Sequence, residues 1–497
     1  MNLTPETCYQ ALLARDSRYD GRFFTCVTST GIYCRPICPA PAPRLEHCRF
    51  VGTAVAAQEA GFRPCLRCRP ESAPDSPAWA GTSTTVARAL RLIEEGALDD
   101  GDVEALAERL GLGSRQLRRL FRRHVGASPL AVAQTRRVLL AKQLLHQTDL
   151  PLIDVALASG FGSVRRFNEV FRALFGRPPS ALRGRRDVAT DSPSLTLLLS
   201  YRPPYDWQAM LAFLARRAVK GLEQVDGETY RRVVRLGGTV GRVDVSHAPE
   251  ATALRVTIRL PELGQLPSLI VRLRRLFDLQ ADPDAIRCGL CRDPDLATLV
   301  ASRPGLRLPG GWDPFEIAVR AILGQQVSVT VATRLAERLV ERLGERLPGD
   351  GETELDRLFP APERFTLEAV KAIGMPTARA TALVRLAAAY SERPSLFDRR
   401  GDLDASVARL RELPGIGEWT AQYIAMRGLQ ESDAFLASDV ALQRVLAREG
   451  RRPTPRELLA RAEAWRPWRA YAVMHLWHAD APAAAIRQKE TCDATLA

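Results

Sequence analysis

The sequence predicts a multidomain protein, mainly α with an α+β part: a small cysteine-bearing domain, a double helix-turn-helix, an antiparallel-sheet α+β domain and an all-α domain built on a helix-hairpin-helix. Three observations carry this. The chain has 497 residues, enough for about three domains at roughly 150 residues each. Seven of its 10 cysteines fall within the first 68 residues. The apolar period changes along the chain, from helical over 103–186 to alternating over 195–285 and back to helical after Pro314. Hydrophobic and charged fractions of 46% and 26% are those of a globular protein and exclude a disordered or fibrous chain. No stretch approaches the ~18 apolar residues of a membrane span, and the first residues lack the basic-then-apolar pattern of a secretion signal. The expected location is the cytoplasm, with no membrane partner.

In a reducing compartment a cysteine cluster points to metal rather than to disulfides. Cys34-x3-Cys38 and Cys65-x2-Cys68 form two close pairs joined by a loop, the ligand layout of a closed tetrahedral Zn2+-thiolate site. Four ligands complete such a site, so Cys26 and Cys48 read as small core hydrophobes. Cys288-x2-Cys291 has no second pair nearby and reads as packing. The first domain spans 1–75, and the Pro-, Ser- and Gly-rich stretch Glu71–Ser83 reads as a linker.

From Val103 the chain reads helix, turn, helix, with SRQLRRLFRRH as the second helix and Ser114 as its N-cap. A second copy follows, PLIDVALASGF leading through Gly162 to SVRRFNEVFRALFG with Ser163 as N-cap, and an apolar helix around Leu130–His146 joins the two. Residues 103–186 hold 16 Lys/Arg against 5 Asp/Glu, a net of +11 in a protein whose total is +13. A charge run is usually a solvated helix face. Here Arg115, Arg118, Arg119, Arg122 and Arg123 lie on one candidate recognition helix and Arg165, Arg166 and Arg172 on the other, so contact with double-stranded DNA is the better reading. This domain spans 84–186.

After the polar connector Arg183–Ser194, LTLLLSY, YRRVVRL, GTVGRVDVSH and ALRVTIRL read as antiparallel strands, with DWQAMLAFLARRAV and LPSLIVRLRRLF as helices packed on them, an α+β domain over 195–285. The last domain, 286–490, is nearly all helical, and FEIAVRAILGQQVSVTVATRLAERLVERL is its most regular stretch. Within it LRELPGIGEWTAQYIAMRGL reads as helix, tight hairpin, helix. Gly415 and Gly417 leave the backbone N–H groups of the second helix open to a phosphate, a sequence-independent DNA grip. An ordinary αα-corner would look similar, but Asp439 follows 22 residues after Gly417 amid apolar neighbours.

With AILGQQVS upstream and RPWRAYAVMHLW downstream, that segment resembles the helix-hairpin-helix DNA glycosylases, most closely the 3-methyladenine DNA glycosylase II (AlkA) branch, over about 195–485. TGIYCRPIC and AGFRPCLRCRPE resemble the N-terminal zinc domain of Ada-type adaptive-response regulators, and ASGFGSVRRFNEVFRALFGRPPSALR is similar to AraC-type DNA-binding domains. Their order is that of an Ada–AlkA fusion.

The resemblance implies Asp439 as the glycosylase carboxylate and Trp419, Tyr423 and Trp477 as the aromatic base pocket, although Trp477 alone would also suit a helix-packing core. Bifunctional members of the superfamily carry a Schiff-base lysine where this chain has Trp419, so a monofunctional glycosylase for N-alkylated bases such as 3-methyladenine is expected. An apolar side chain follows the Gln of ILGQ in the family and fills the gap left by the flipped base; here that residue is Gln326. The family also suggests a monovalent cation on the carbonyls of Arg411, Leu413 and Ile416. In the zinc domain the resemblance makes Cys34 both ligand and acceptor of a methyl group from a methylphosphotriester, with Thr30 and Arg63 at DNA-contact positions. Operator DNA and alkylated DNA are the expected partners, with RNA polymerase a further candidate and the nucleoid the expected place. The family's regulators usually end in a second methyltransferase domain with a Pro-Cys-His-Arg nucleophile; the tetrapeptide does not occur here, and O6-alkylguanine repair is not expected. The competing readings are a methylation-responsive regulator whose glycosylase-like half is only a DNA clamp and, less favoured because of Trp419, a bifunctional lyase.

Overall fold

A computed structural model of the chain describes residues 3–68, 70, 84–99, 101–183, 194–347, 354–398 and 403–480. The linker Glu71–Ser83, most of the connector Arg183–Ser194, the end of the last domain beyond 480 and Cys492 lie outside the described residues. The chain forms two compact units. The first is made of 1–203, 226–274 and 279–281, the second of 204–225, 275–278 and 282–497.

The first unit opens with a small four-stranded sheet of order β3–β1–β2–β4, made of β1 (Phe24–Val27), β2 (Ile32–Cys34), β3 (Cys48–Val51) and β4 (Arg63–Pro64). Phe24, Cys26, Tyr33 and Ala57 are buried together under it, so Cys26 is the core residue the sequence suggests. Cys48 is only half-buried, its thiol 3.3 Å from the Arg44 carbonyl. Among the described residues six helices follow: Thr84–Glu94, Val103–Arg109, Ser114–His124, Pro129–Gln147, Leu152–Ala158 and Val164–Phe175. Ser163 caps the last by accepting the Arg166 N–H at 3.2 Å. Ser114 does not cap its helix. Gly113 holds the N-cap position without a side-chain bond, and Ser114 is the first helical residue. The hydroxyl that the cap needs is one residue too late.

The same unit carries the strands β5 (Leu195–Ser200), β7 (Thr229–Leu236), β8 (Thr239–Ala248) and β9 (Ala253–Arg259), in which β5 pairs β9, β9 pairs β8 and β8 pairs β7, all antiparallel. Alternate residues of β5 are buried, the period-2 signature of a half-covered strand. A short strand β6 (Glu223–Asp226), where the chain passes between the units, has no such alternation in its four residues EQVD and escapes a reading by pattern.

In the second unit the regular stretch after Pro314 is helical, as expected, and forms two helices. They are Pro314–Leu323 and Val329–Leu343, separated by a turn in which Gln326 adopts φ +57°. Gly324 ends the first helix and Ser328 caps the second by accepting the Val331 N–H. Cys288 and Cys291 close the helix Pro283–Leu290 and are both exposed, so they are not packing residues. The apolar face of that helix is Ile286 and Leu290, which leaves both thiols on its solvent side. Among the described residues no helix is long and apolar enough to cross a membrane.

Candidate functional site

Strand pairing brings the two cysteine pairs together. β2 and β4 run parallel with Tyr33 opposite Pro64, and the Cys65 N–H donates to the Tyr33 carbonyl at 3.0 Å, so Cys34 and Cys65 leave their strands side by side. The ligand atoms of Cys34, Cys38, Cys65 and Cys68 all lie within 4.8 Å of one another. A tetrahedral ion with Zn–S bonds of ~2.3 Å needs sulfurs roughly 3.8 Å apart, so the four residues fit such an ion. Backbone amides point at three of the sulfurs, Arg35 N–H at Cys68 (3.3 Å), Arg67 N–H at Cys65 (3.4 Å) and Ala40 N–H at Cys38. Cys34 is the least buried of the four, and among the described residues no amide donates to its sulfur.

Thr30 is exposed on the β1–β2 hairpin. The Arg63 N–H donates to the Gly31 carbonyl at 2.8 Å, which sets Arg63 beside that turn and groups both predicted DNA-contact residues near the cluster. A residue the sequence did not single out joins the cluster to the helix between the two helix-turn-helix units. Lys142 is fully buried, and its ammonium donates to the Cys65 carbonyl at 2.8 Å. On the recognition helices Arg115, Arg118, Arg165 and Arg166 are exposed. Arg118 is held by Glu104 at 2.8 Å and Arg165 by Glu169 at 3.0 Å, surface pairs that a phosphate displaces at little cost.

In the second unit the helices Leu403–Arg411 and Glu418–Arg427 flank the hairpin. Gly415 is required there: its φ is +91°, and a Cβ would sit 2.5 Å from the Ala382 Cβ. Gly417 is under no such constraint. Its φ is −85° and a Cβ would meet nothing, so what it contributes is an N-cap without a side chain over the first-turn N–H groups.

Asp439 is the N-cap of the short helix Val440–Val445. Its Oδ1 accepts from Ala441 N–H (3.0 Å), Leu442 N–H (3.3 Å) and the Trp477 indole N–H (3.2 Å). Its Oδ2 accepts from the Trp419 indole N–H at 3.1 Å. Trp419 stacks on Tyr423 with ring centroids 5.2 Å apart and planes 17° from parallel, and Tyr423 faces Trp477 at 6.3 Å. The carboxylate and the three predicted aromatics therefore meet in one place, and Trp477 belongs to it rather than to the core. Behind them, unannounced in the sequence, the Arg427 guanidinium donates to the Tyr423 hydroxyl at 2.9 Å and to the Pro309 and Gly310 carbonyls. Arg217 lies 3.7 Å over the Phe213 ring, its pKa lowered by burial to about 10. Burial pushes the Tyr423 phenol up, but Arg427 and Arg217 more than offset it and leave it below its ordinary value. The i,i+4 spacing of Tyr423 and Arg427 on one helix was the signal available for this contact. Gln326 is exposed at the tip of its turn.

Four family models match: the metal binding domain of Ada at 7–71, a helix-turn-helix domain at 106–185, the AlkA N-terminal domain at 196–313 and the HhH-GPD superfamily of base excision DNA repair proteins at 319–470. A Mycobacterium tuberculosis protein named "Probable bifunctional transcriptional activator/DNA repair enzyme AlkA" is 41% identical over 477 residues, 95% of this chain and 96% of its own. DNA-3-methyladenine glycosylase 2 of Escherichia coli is 39% identical over 287 residues, 57% of this chain and 96% of its own. Among solved structures, the 3-methyladenine DNA glycosylase of Archaeoglobus fulgidus shares the fold, with a TM-score of 0.51 at 21% identity over 57% of this chain and 97% of that one. With the four-cysteine cluster, the paired helix-turn-helix units and the Asp439 pocket in one polypeptide, the chain belongs to the family of bifunctional transcriptional activator/DNA repair proteins that join an Ada-type metal-binding domain to an AlkA-type glycosylase.

Proposed function

We propose that this protein repairs alkylated double-stranded DNA in two ways and reports the damage to transcription. Its parts are a methyl-acceptor domain over 1–75, a DNA-binding domain over 84–186, and a monofunctional glycosylase built from 195–285 and 286–490. The observation that carries the glycosylase reading is Asp439, held by two indole N–H groups that belong to the walls of an aromatic pocket. As the C1′–N bond of the damaged nucleotide breaks, positive charge builds on the sugar. Oδ1 already accepts three N–H groups, whereas Oδ2 accepts one and keeps a lone pair for the developing cation and for the water that adds to C1′. An N-alkylated base is cationic, so it departs as a neutral base without a general acid and binds against the faces of Trp419, Tyr423 and Trp477. The absence of an amine at Trp419 leaves an abasic site with the strand intact.

In the first domain Zn2+, when bound, keeps the sulfurs as thiolates at neutral pH. Cys34, the least buried of the four residues and, among the described residues, the one whose sulfur accepts no backbone amide, is the strongest nucleophile of the four. Its sulfur bonds to the methyl carbon of a methylphosphotriester, the C–O bond breaks, and the phosphodiester leaves as an anion. The cluster's charge falls from −2 to −1, which lessens repulsion from the DNA backbone and strengthens operator binding through Arg115, Arg118, Arg165 and Arg166. Thr30 and Arg63 contact DNA beside Cys34. RNA polymerase is the partner of the methylated form, the chain resides on the nucleoid, and a monovalent cation sits on the carbonyls of Arg411, Leu413 and Ile416, where it would meet a phosphate at the Gly415–Gly417 hairpin.

The test is base release from methylated duplex DNA by the purified chain and by Asp439→Asn, with intact mass recorded on the same samples. Release lost in Asp439→Asn, and a methyl-sized mass gain lost in Cys34→Ala, are the expected outcomes. A well-folded chain that releases no base sinks the glycosylase assignment and leaves the regulator with a DNA clamp.

A further inference from the structure

The turn 324–328 holds its shape through residues that have no part in the pocket. Gln326 occupies the left-handed region at φ +57°, which side chains other than glycine adopt at an energetic cost and keep only where the surroundings over-determine it. The determinants converge on its neighbour, Gln325. The Gln325 side-chain amide donates to the Gly415 carbonyl at 2.9 Å and to the Thr420 hydroxyl at 3.1 Å. Since a carbonyl can only accept, the amide's orientation is settled by chemistry. From the other side the Arg379 guanidinium donates to the Gln325 carbonyl at 3.1 Å and to the Leu323 carbonyl at 3.5 Å.

The three pieces close into a ring. Arg379 and Ala382 lie on the helix Thr377–Glu392. Gly415 of the hairpin approaches that helix so closely that a Cβ would clash with Ala382, and Gln325 ties the hairpin back to the turn. Both partners of the Gln325 amide belong to the element that grips phosphate or to the first turn of the helix carrying Trp419 and Tyr423. We infer that Gln325, backed by Arg379, is a positioning residue that locks the Gln326 turn to the helix-hairpin-helix, so that the group filling the vacated stack and the group holding the backbone move as one body when a nucleotide is displaced. This rests on the base-excision reading above. The bonds are neutral at Gln325, so the lock, unlike the phosphate contacts, is insensitive to salt.

Gln325→Leu removes the donor at nearly constant shape, and Gln325→Glu keeps the shape without the amide hydrogens. Both are assayed as full chains, with the melting transition checked against wild type. Two duplexes report: one with the methylated base fully stacked and paired, the other with the same base in a one-nucleotide bulge, where displacement is already achieved. A 2-aminopurine beside an abasic-site analogue reports unstacking without any chemistry. Both variants are expected to lose about tenfold or more in single-turnover release from the paired duplex, the effect of a lost hydrogen-bond donor, and much less from the bulge, with a reduced 2-aminopurine signal. Equal losses on both duplexes, or an unchanged 2-aminopurine signal, overturn the inference. Absence of release by wild type on both duplexes would instead defeat the base-excision reading, and the 2-aminopurine signal would still decide the lock.

Discussion

The Asp439 side chain caps the helix Val440–Val445 with Oδ1 and faces Trp419 with Oδ2, so its structural and chemical roles separate on substitution. Asparagine caps about as well as aspartate. Asp439→Asn should keep the cap and cost no more than about 1 kcal/mol by urea unfolding, the scale of the lost Trp419 bond, while base release falls by at least ~100-fold, the scale of a lost electrostatic stabiliser. Its amide nitrogen in the Oδ2 position would also set two donors face to face with Trp419. Asp439→Ala should lose the cap as well, about 1 kcal/mol. Retention of release in Asp439→Asn would remove the carboxylate from the mechanism. The residue type and its family position were legible in the sequence. That Oδ1 is occupied threefold and Oδ2 once was not, because those donors come from 419, 441, 442 and 477 and meet only on folding.

Helix ends give a second kind of test. Ser163 accepts the Arg166 N–H, whereas Ser114 sits inside its helix, where its hydroxyl caps nothing. Ser163→Ala should cost about 1 kcal/mol and speed hydrogen exchange in the helix Val164–Phe175, and Ser114→Ala should be nearly neutral. Equal costs at both positions would show that Ser114 caps after all. The periodicity of these helices is readable because each buries one stripe, Leu117 and Phe121 in the first and Phe167, Val170 and Phe171 in the second. The break at 324–328 escapes the same reading. Its apolar residues stay in step on both sides, and the turn between Gly324 and the Ser328 cap is held by long-range contacts from Gln325 to Gly415 and from Arg379 to Gln325.

Across the whole protein, two buried groups of the second unit oppose each other in their response to pH. Burial lifts the Asp278 carboxyl to about 6 against Arg307 and the donors Leu308 N–H and Tyr471 O–H, and burial lowers His475 to about 4. The folded state thus binds the Asp278 proton more tightly than the unfolded chain does, so this group stabilises fully below about pH 4 and loses that contribution as pH rises through about 6. His475 acts with the opposite sign: its contribution is present above about 6.5 and is lost as pH falls toward about 4. In His475→Leu the stability of this unit should therefore rise as pH falls from 6.5 to 4, and in Asp278→Asn it should fall, each by roughly 1–3 kcal/mol in urea unfolding. Slopes of the reverse sign would refute the assignment. Removing zinc with a chelator should lower the melting transition of the first unit, where the cluster and Lys142 share the Cys65 strand end, and leave base release unchanged.

Ligand spacing, helix period, strand alternation and net charge are local or additive properties, so the sequence alone determined the four-cysteine ligand set, the paired helix-turn-helix units and the helix-hairpin-helix, while the pocket residues were expected from the family resemblance. Long-range contacts decided the rest. The strand register Tyr33–Pro64 joins the two cysteine pairs, burial places Lys142 at the Cys65 carbonyl, and Arg427 reaches the Tyr423 hydroxyl from behind the pocket. Gln325 bridges 90 residues to Gly415. Such contacts depend on which surfaces meet when the chain closes, and a hydrogen bond between distant polar groups leaves no periodic trace in the sequence that forms it.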